Sequence, residues 1–383
     1  MTHFIKRVVD FQYGAQTLKT CIIADEETHA IMPAASAFLF SMTKDDGARL
    51  NSVKSYASTL VSFLNTLAHD PGIDGYASVT DKQMRAYLEL VLIDRKGLKL
   101  ITVNQHITRL NQFYEYCVSA GLIENRAEFS FQLSDQIMTG LKQVGGWKKS
   151  LDPFNLGEQY IPNSEFIDLL AHKPRVGDYE NARDDIVFRL GYFVGLRASE
   201  VVSEYNLTLP RIKDAIDEAD KKGDKGFLLF VIGKGSGGGK PRQVYIPERL
   251  RQQICRFMDG ARKKIPGDLL ICKSDGTQLH ERHASDTFAD AVDSLIKAGG
   301  ELTESWIANK IRSYHSLRHS YATNLAQWLK ENGQPRHLLN ERLGHSDDLT
   351  TLIYVHFNAL LHGDTATQNE VSPVIAKNIL IER

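Results

Sequence analysis

Cysteine is scarce in this chain, and its four copies, Cys21, Cys117, Cys255 and Cys272, are scattered with no C-x-x-C pair among them. That spacing argues against a structural zinc site and against a disulfide framework. It fits a reducing, cytoplasmic setting. Long apolar runs are missing too, since none approaches the roughly 18 residues a membrane span needs. The opening Met1-Thr-His-Phe-Ile-Lys-Arg has no apolar core of a secretory signal. No membrane partner is therefore expected. Net charge is also lacking, with 46 Lys+Arg against 47 Asp+Glu. Nucleic-acid binders usually carry a basic imprint, so the sum alone weighs against one. The distribution matters more. Lys213 to Asp224 is rich in acid, whereas Lys225, Lys234, Lys240 and Arg242 follow on a stretch without any. A basic patch on an acidic body keeps DNA open as a partner.

What is present is enough chain for two cores, at 383 residues. Residues 1–45 read as a small N-terminal β-hairpin or arm. Leu18 to Asp25 and Ala30 onward suggest short strands around a polar turn, with a helix starting near Ala34. From Asn51 the period becomes helical, with Val53, Tyr56, Leu60, Phe63, Leu64 and Leu67 on one side. Thr80 is placed to cap a helix carrying Met84, Tyr87, Leu88 and Val91. A further helix carries Ile107, Leu110, Phe113 and Tyr114 inward. Its other face presents Asn104, Gln105, Thr108, Arg109 and Gln112, side chains suited to phosphates and base edges or simply to water. Glycine and proline punctuate residues 140–165, the best linker. These boundaries give 1–45, a helical domain at 46–145, a linker at 146–162 and a second domain at 163–383.

In the second domain, a buried helix from Asp184 runs into Gly195-Leu-Arg197-Ala-Ser-Glu200. Alone, Arg197 reads as a surface ion pair with Glu200, and Glu200 as a group that orients it. Gly226 to Ile232 and Arg242 to Pro247 read as paired strands around a glycine-rich turn holding Lys234 and Lys240. That turn is either solvated or a mobile cation carrier. It does not match G-x-x-x-x-G-K-[ST], so no ATP site is expected. Further on come His315-Ser-Leu-Arg318-His319, then Leu343-Gly344-His345-Ser346, then Thr350-Thr351-Leu-Ile-Tyr354-Val-His356. His315 and Arg318 share a helix face. His-x-x-Arg-His is not H-E-x-x-H, and no carboxylate completes a metal ligand set. A phenol, fixed cations and imidazoles are the parts of a metal-free phosphoryl-transfer site: one attacks, one holds phosphate oxygens, one moves protons.

Taken in order, these five blocks closely resemble the tyrosine recombinase (phage integrase) family, in the manner of its Cre, Xer and integron-type members. The stretch from Asn51 to Phe63 is similar to that family's core-binding helices. The resemblance implies a mainly α fold with a small β-sheet: an N-terminal helical core-binding domain, then a C-terminal α+β catalytic domain with a tail. It assigns Arg197, Lys234, His315, Arg318, His345 and Tyr354 to the catalytic set, with Lys240 competing for the place of Lys234. Glu200 supports from behind. Lys54, Asn104, Gln105, Thr108, Arg109, Lys240 and Arg242 are the expected DNA contacts. The implied activity is site-specific cleavage and rejoining of double-stranded DNA through a 3′-phosphotyrosine, with no cofactor and no metal. Strands are exchanged through a Holliday junction, for integration, excision or resolution of mobile elements. The implied assembly is a homotetramer on two DNA sites, and the apolar tail from Val371 is expected to dock on a neighbouring protomer. Type IB topoisomerase and telomere resolvase use the same chemistry, and a catalytically silent DNA-binding accessory protein is the non-enzymatic alternative.

Overall fold

The computed structural model describes residues 3–48, 50–70, 72–123, 155–174, 176–233, 241–345 and 348–381. Contacts divide the chain into two compact units, Met1–Lys148 and Lys149–Arg383. Residues 124–154, which take in the end of the expected helical domain and the first part of the expected linker at 146–162, and the hairpin tip at 234–240 lie outside the described residues.

In the first unit, β1 (Phe4–Tyr13) and β2 (Gln16–Asp25) pair antiparallel, from Phe4 opposite Asp25 to Tyr13 opposite Gln16. Cys21 and Ile23 point inward and share one core with the helices that follow. Ser36, on the helix Pro33–Lys44, fixes this packing. Its hydroxyl accepts from the Ile23 amide at 3.0 Å and donates to the Ile23 carbonyl at 3.2 Å. Helix Leu50–Ala68 buries Val53, Ala57, Leu60, Phe63, Leu64 and Leu67, the helical period read from the sequence. Tyr56 stays half-buried, because its hydroxyl reaches out to donate to Gln112 at 2.6 Å. Thr80 caps the next helix with Gln83 in a reciprocal box. That helix then widens into a π turn over Tyr87–Arg95, which apolar spacing alone does not announce. Helix Leu100–Ser119 follows, with Leu110, Phe113 and Tyr114 inside.

The second unit is built on two helices, Asp178–Val194 and Tyr314–Glu331. Gly191 lets them approach: a Cβ there would sit 2.9 Å from the Tyr314 ring. The Tyr314 hydroxyl donates to the Val187 carbonyl at 2.8 Å, which sets their register. The acid-rich stretch is an amphipathic helix, Leu209–Lys222, burying Ile212 and Ala219. β3 (Phe227–Ile232) and β4 (Pro241–Ile246) pair antiparallel. On β3, Phe227, Leu229 and Val231 face the core; on β4, Arg242, Val244 and Ile246 do. A third cluster joins Leu343, Ile353 and Tyr354 to Val371 and Ile375 of the last helix, Thr365–Ile381. Among the described residues the fold is thus mainly helical, with two small antiparallel sheets.

Candidate active site

Helix Asp178–Val194 stops at Gly195, in the left-handed region at φ 71°. A Cβ there would lie 2.3 Å from the Tyr321 ring, so no other residue fits this turn unstrained. The turn places Arg197 at the start of the short helix Ala198–Val201. Glu200 folds back on it, accepting from the Arg197 amide at 2.8 Å and from Arg197 Nη1 at 2.7 Å. Glu200 is thus the supporting group the sequence suggests, and it has a second partner the sequence reading did not give it. Arg242 Nη1 and Nη2 donate to its two oxygens, each at 2.6 Å. Burial pushes the Glu200 carboxyl up, but the Arg242 hydrogen bonds and charge, joined by Arg197, outweigh it and hold the pKa at about 2. Arg242, expected as a DNA contact, is instead buried at 6% exposure and committed to Glu200. The reason is strand parity: it shares the inward face of β4 with Val244 and Ile246.

The first turns of helix Tyr314–Glu331 carry His315, Arg318 and His319. Arg318 is fully buried, and its donors go to backbone oxygens, Nη1 to Gly195 at 2.5 Å and Nη2 to Leu343. Burial and then the charges of Arg197 and Arg242 lower its pKa to about 9, which leaves it cationic at neutral pH. The Leu343 carbonyl belongs to the end of helix His337–Leu343, which turns at Gly344 with φ 63°. His345 follows at once, with Nδ1 3.3 Å from Thr351 Oγ1. Its ring stacks on Tyr354, centroids 6.0 Å apart and 21° from parallel.

Tyr354 sits on helix Asp348–Leu361 and is buried. Its hydroxyl shares a hydrogen bond with His319 Nδ1 at 2.8 Å. His315, expected to take the phenolic proton, stands at the solvent side and meets His319 edge to face at 4.7 Å. The residue on the hydroxyl is therefore His319, which the sequence reading quoted but gave no role. Its signal was available: one residue past Arg318 and one turn past His315, it lies on the same helical stripe. Desolvation, then the nearby positive charges, holds all three histidines below the ordinary value, His315 to about 4 and His319 and His345 to about 3. Three imidazoles that are neutral at pH 7 thus gather near the phenol, beside fixed guanidinium charge. That arrangement suits hydrogen bonding and proton transfer at a phosphate.

The structure therefore brings Arg197, Arg318, His315, His345, Tyr354 and Glu200 together. Lys234 and Lys240 lie outside the described residues. In the other unit, Asn104, Gln105 and Thr108 are exposed along helix Leu100–Ser119. Arg109 is half-buried, donating to Thr59 Oγ1 at 3.0 Å with its guanidinium over the Tyr56 ring, and Lys54 is half-buried as well. Among the described residues, no group of three or more His, Cys, Asp or Glu is placed to hold a metal ion, and no helix is long and apolar enough to cross a membrane.

Known proteins share this architecture. Over 323 residues the chain is 25% identical to tyrosine recombinase XerD of Rickettsia conorii, covering 83% of this chain and 92% of the relative. It is 25% identical over 329 residues to tyrosine recombinase XerC of Staphylococcus carnosus, covering 84% and 91%. Among solved structures, the XerH site-specific recombinase bound to its palindromic difH substrate superposes with a TM-score of 0.56, at 20% identity over 88% of this chain and 85% of that one. The Tn1549 transposon integrase in complex with transposon right-end DNA gives 0.55, at 17% identity over 84% and 94%. The phage integrase family model matches residues 160–360, a span that holds every element of the site described above. The chain belongs to the phage integrase family and is a tyrosine recombinase.

Proposed function

We propose that this chain breaks and rejoins double-stranded DNA at a specific site, with Tyr354 as nucleophile. The observation that carries the reading is the convergence of Arg197, Arg318, His315, His319 and His345 on one phenol from three separate chain segments. The Tyr354 oxygen attacks the scissile phosphorus, its proton passing to a neutral imidazole. The bond to the 5′-oxygen breaks, leaving a 3′-phosphotyrosine and a 5′-hydroxyl. Arg197 and Arg318 stabilise the negative pentacoordinate transition state by forked hydrogen bonds. His345 donates to a phosphate oxygen, and a lysine of the β3–β4 turn, Lys234 or Lys240, protonates the leaving oxygen. Ester energy is retained, so a 5′-hydroxyl from another strand reverses the step and no nucleotide is consumed. His319, through its contact with the hydroxyl, is the first candidate to take the phenolic proton, ahead of His315.

The solved XerH and Tn1549 proteins are complexes with DNA. The exposed Asn104, Gln105 and Thr108, with Arg109 and Lys54 beside them, are our choice of DNA contacts in the first unit, which we read as the core-binding domain. A homotetramer on two sites exchanges the strands. The C-terminal helix packs here on its own protomer: Arg336 pairs with Glu370 at 2.7 Å, and Val371 and Ile375 fill the cluster around Tyr354. We propose that it leaves this seat for a neighbouring protomer when the tetramer forms. Deleting the residues after Gln368 should then abolish synapsis; unchanged synapsis and cleavage would remove the idea.

The test is a nicked suicide duplex that traps the covalent intermediate. Wild-type protein should give a protein–DNA adduct absent from Tyr354→Phe. An adduct that persists in that variant, or none from wild type on its own flanking DNA, overturns the reading. Relaxed circles or hairpin ends as products would instead point to the related topoisomerase or resolvase outcome.

A further inference from the structure

We infer that Arg242 is a positioning residue of the cleavage site: it satisfies the charge of Glu200, so that Arg197 stays available to a phosphate, and it fixes the turn that delivers His345. The inference rests on the reading that Arg197 faces the scissile phosphate.

The geometry around Glu200 carries the first half. Its two oxygens accept four hydrogen bonds, two from Arg197 and two from Arg242. The Arg242 pair is the forked, bidentate one, and its side chain is almost wholly inside. Arg197 gives Glu200 one guanidinium nitrogen and one backbone amide, and its side chain is a quarter exposed. A guanidinium has five N–H donors in a planar fork. Arg197 therefore meets Glu200 along one edge, while Arg242 takes the carboxylate face to face.

Removing Arg242 changes this balance. A buried carboxylate that loses its bidentate partner is left with one neighbouring cation, Arg197, and gains most by pairing with it fork to fork. Arg197 would then be neutralised and turned from the phosphate. With Arg242 present, three guanidinium groups (Arg197, Arg242, Arg318) stand against one carboxylate, and the histidines add no charge at neutral pH. The surplus positive charge is what an incoming phosphodiester meets.

The second half lies at the other end of the side chain. Arg242 Nε donates to the Arg342 carbonyl at 3.0 Å, one residue before the Leu343 carbonyl held by Arg318. Two buried arginines thus hold the consecutive carbonyls of Arg342 and Leu343, which lead into the turn at Gly344 and His345. The stem of Arg242 lies so close to Gly344 that a Cβ there would be 2.8 Å from its Cδ. The direction of His345 is set by a side chain that never meets the substrate.

The test compares Arg242→Gln, Glu200→Gln and the double variant with wild type. Single-turnover cleavage of the nicked duplex is read at saturating protein, with duplex affinity and circular dichroism measured alongside. A merely structural ion pair makes the two single variants equally impaired. Charge positioning makes them unequal. Arg242→Gln should lose about 10²–10³-fold in cleavage, the loss of a transition-state donor, with affinity little changed. Glu200→Gln and the double variant should both cleave about tenfold or more faster than Arg242→Gln, because no carboxylate remains to capture Arg197. Should Arg242→Gln not fold, the neutral double variant carries the test against Glu200→Gln, and it must cleave within about tenfold of it. Equal losses in both singles, wild-type cleavage in Arg242→Gln, or a folded double variant no faster than Arg242→Gln would each overturn the inference. Failure of the wild type to form an adduct overturns the reading of the site instead, so the two failures are distinguishable.

Discussion

The two units differ in what they bury. The core of the first is aromatic and aliphatic, around Phe38, Phe63, Phe113 and Tyr114, and His106 is its one buried imidazole among the described residues. The second buries Arg183, Asp184, Glu200, Arg242, Arg262, Arg318 and His319. Apolar burial alone suffices to build a scaffold, at about 25 cal/mol per Å². Burying a charge costs several kcal/mol unless each lone pair and proton is met. The second unit accepts that cost where we propose that a phosphate is stabilised, because a preorganised charge in a dry site acts more strongly than one in water. Its buried arginines are held by carbonyls and two carboxylates, Glu200 and Asp184; the first unit buries the carboxylate of Asp25, met by Thr28, and no arginine among the described residues. Stability resides in shape in one unit and in charge satisfaction in the other.

Changes at the site should therefore separate activity from stability, and changes in the aromatic core should not. Tyr354→Phe is the largest effect on activity: it should abolish the covalent adduct while costing about 1 kcal/mol of stability, one hydrogen bond to His319, as read by urea unfolding. Arg318→Met should lower cleavage by about 10²–10³-fold. It should also destabilise by about 1–3 kcal/mol, because the Gly195 and Leu343 carbonyls lose their donor. Phe63→Ala should cost the first unit about 3–5 kcal/mol. If that variant unfolds in two urea transitions, only the earlier one should move; a shift of both would break the comparison.

Acid gives a finer probe. His319 is buried and its pKa lies near 3 against an ordinary 6.5. Below pH 6.5 the unfolded chain takes up a proton that the native site refuses. Stability from this group is complete above that pH and falls as pH drops toward about 3, by up to ~1.4 kcal/mol per pH unit. His319→Gln should flatten this slope, measured as urea midpoints across the window. Unchanged slopes would show that the ring is not held neutral. The smallest effect belongs to the surface: Arg336→Ala removes an exposed ion pair with Glu370 and should change stability by about 0–1 kcal/mol in the isolated protein.

Local spacing made much of this molecule legible. The inward stripe of helix Leu50–Ala68, the Thr80 cap, the strand pair and the stop at Gly195 all follow from neighbours a few residues apart. The residue types of the proposed site and their order were legible because each block is compact. What the sequence did not display was which acceptor each arginine meets. Arg318 reaches Gly195, 123 positions away, and Arg242 reaches the Arg342 carbonyl, 100 positions away. No local period encodes such pairs. Arg242 is an instructive case, because alternation with Val244 and Ile246 already pointed it inward while its charge suggested the surface. Parity prevailed, since Glu200 waited on that side. The tail was read as an apolar segment for a neighbour, and here it forms a helix containing Pro373 that covers its own tyrosine helix.

The grip on Arg318 has a genetic side. Its acceptors are two main-chain oxygens. A codon change can delete a carboxylate such as Glu200, but every amino acid carries the same carbonyl. The anchor of this arginine is therefore present whatever is encoded at 195 or 343, and mutation reaches it only by bending the backbone. That places the hereditary weak points of the site on its glycines, Gly195 and Gly344, whose left-handed turns aim those oxygens. A screen for loss of recombination should accordingly collect glycine substitutions at these two turns alongside changes in the charged side chains themselves.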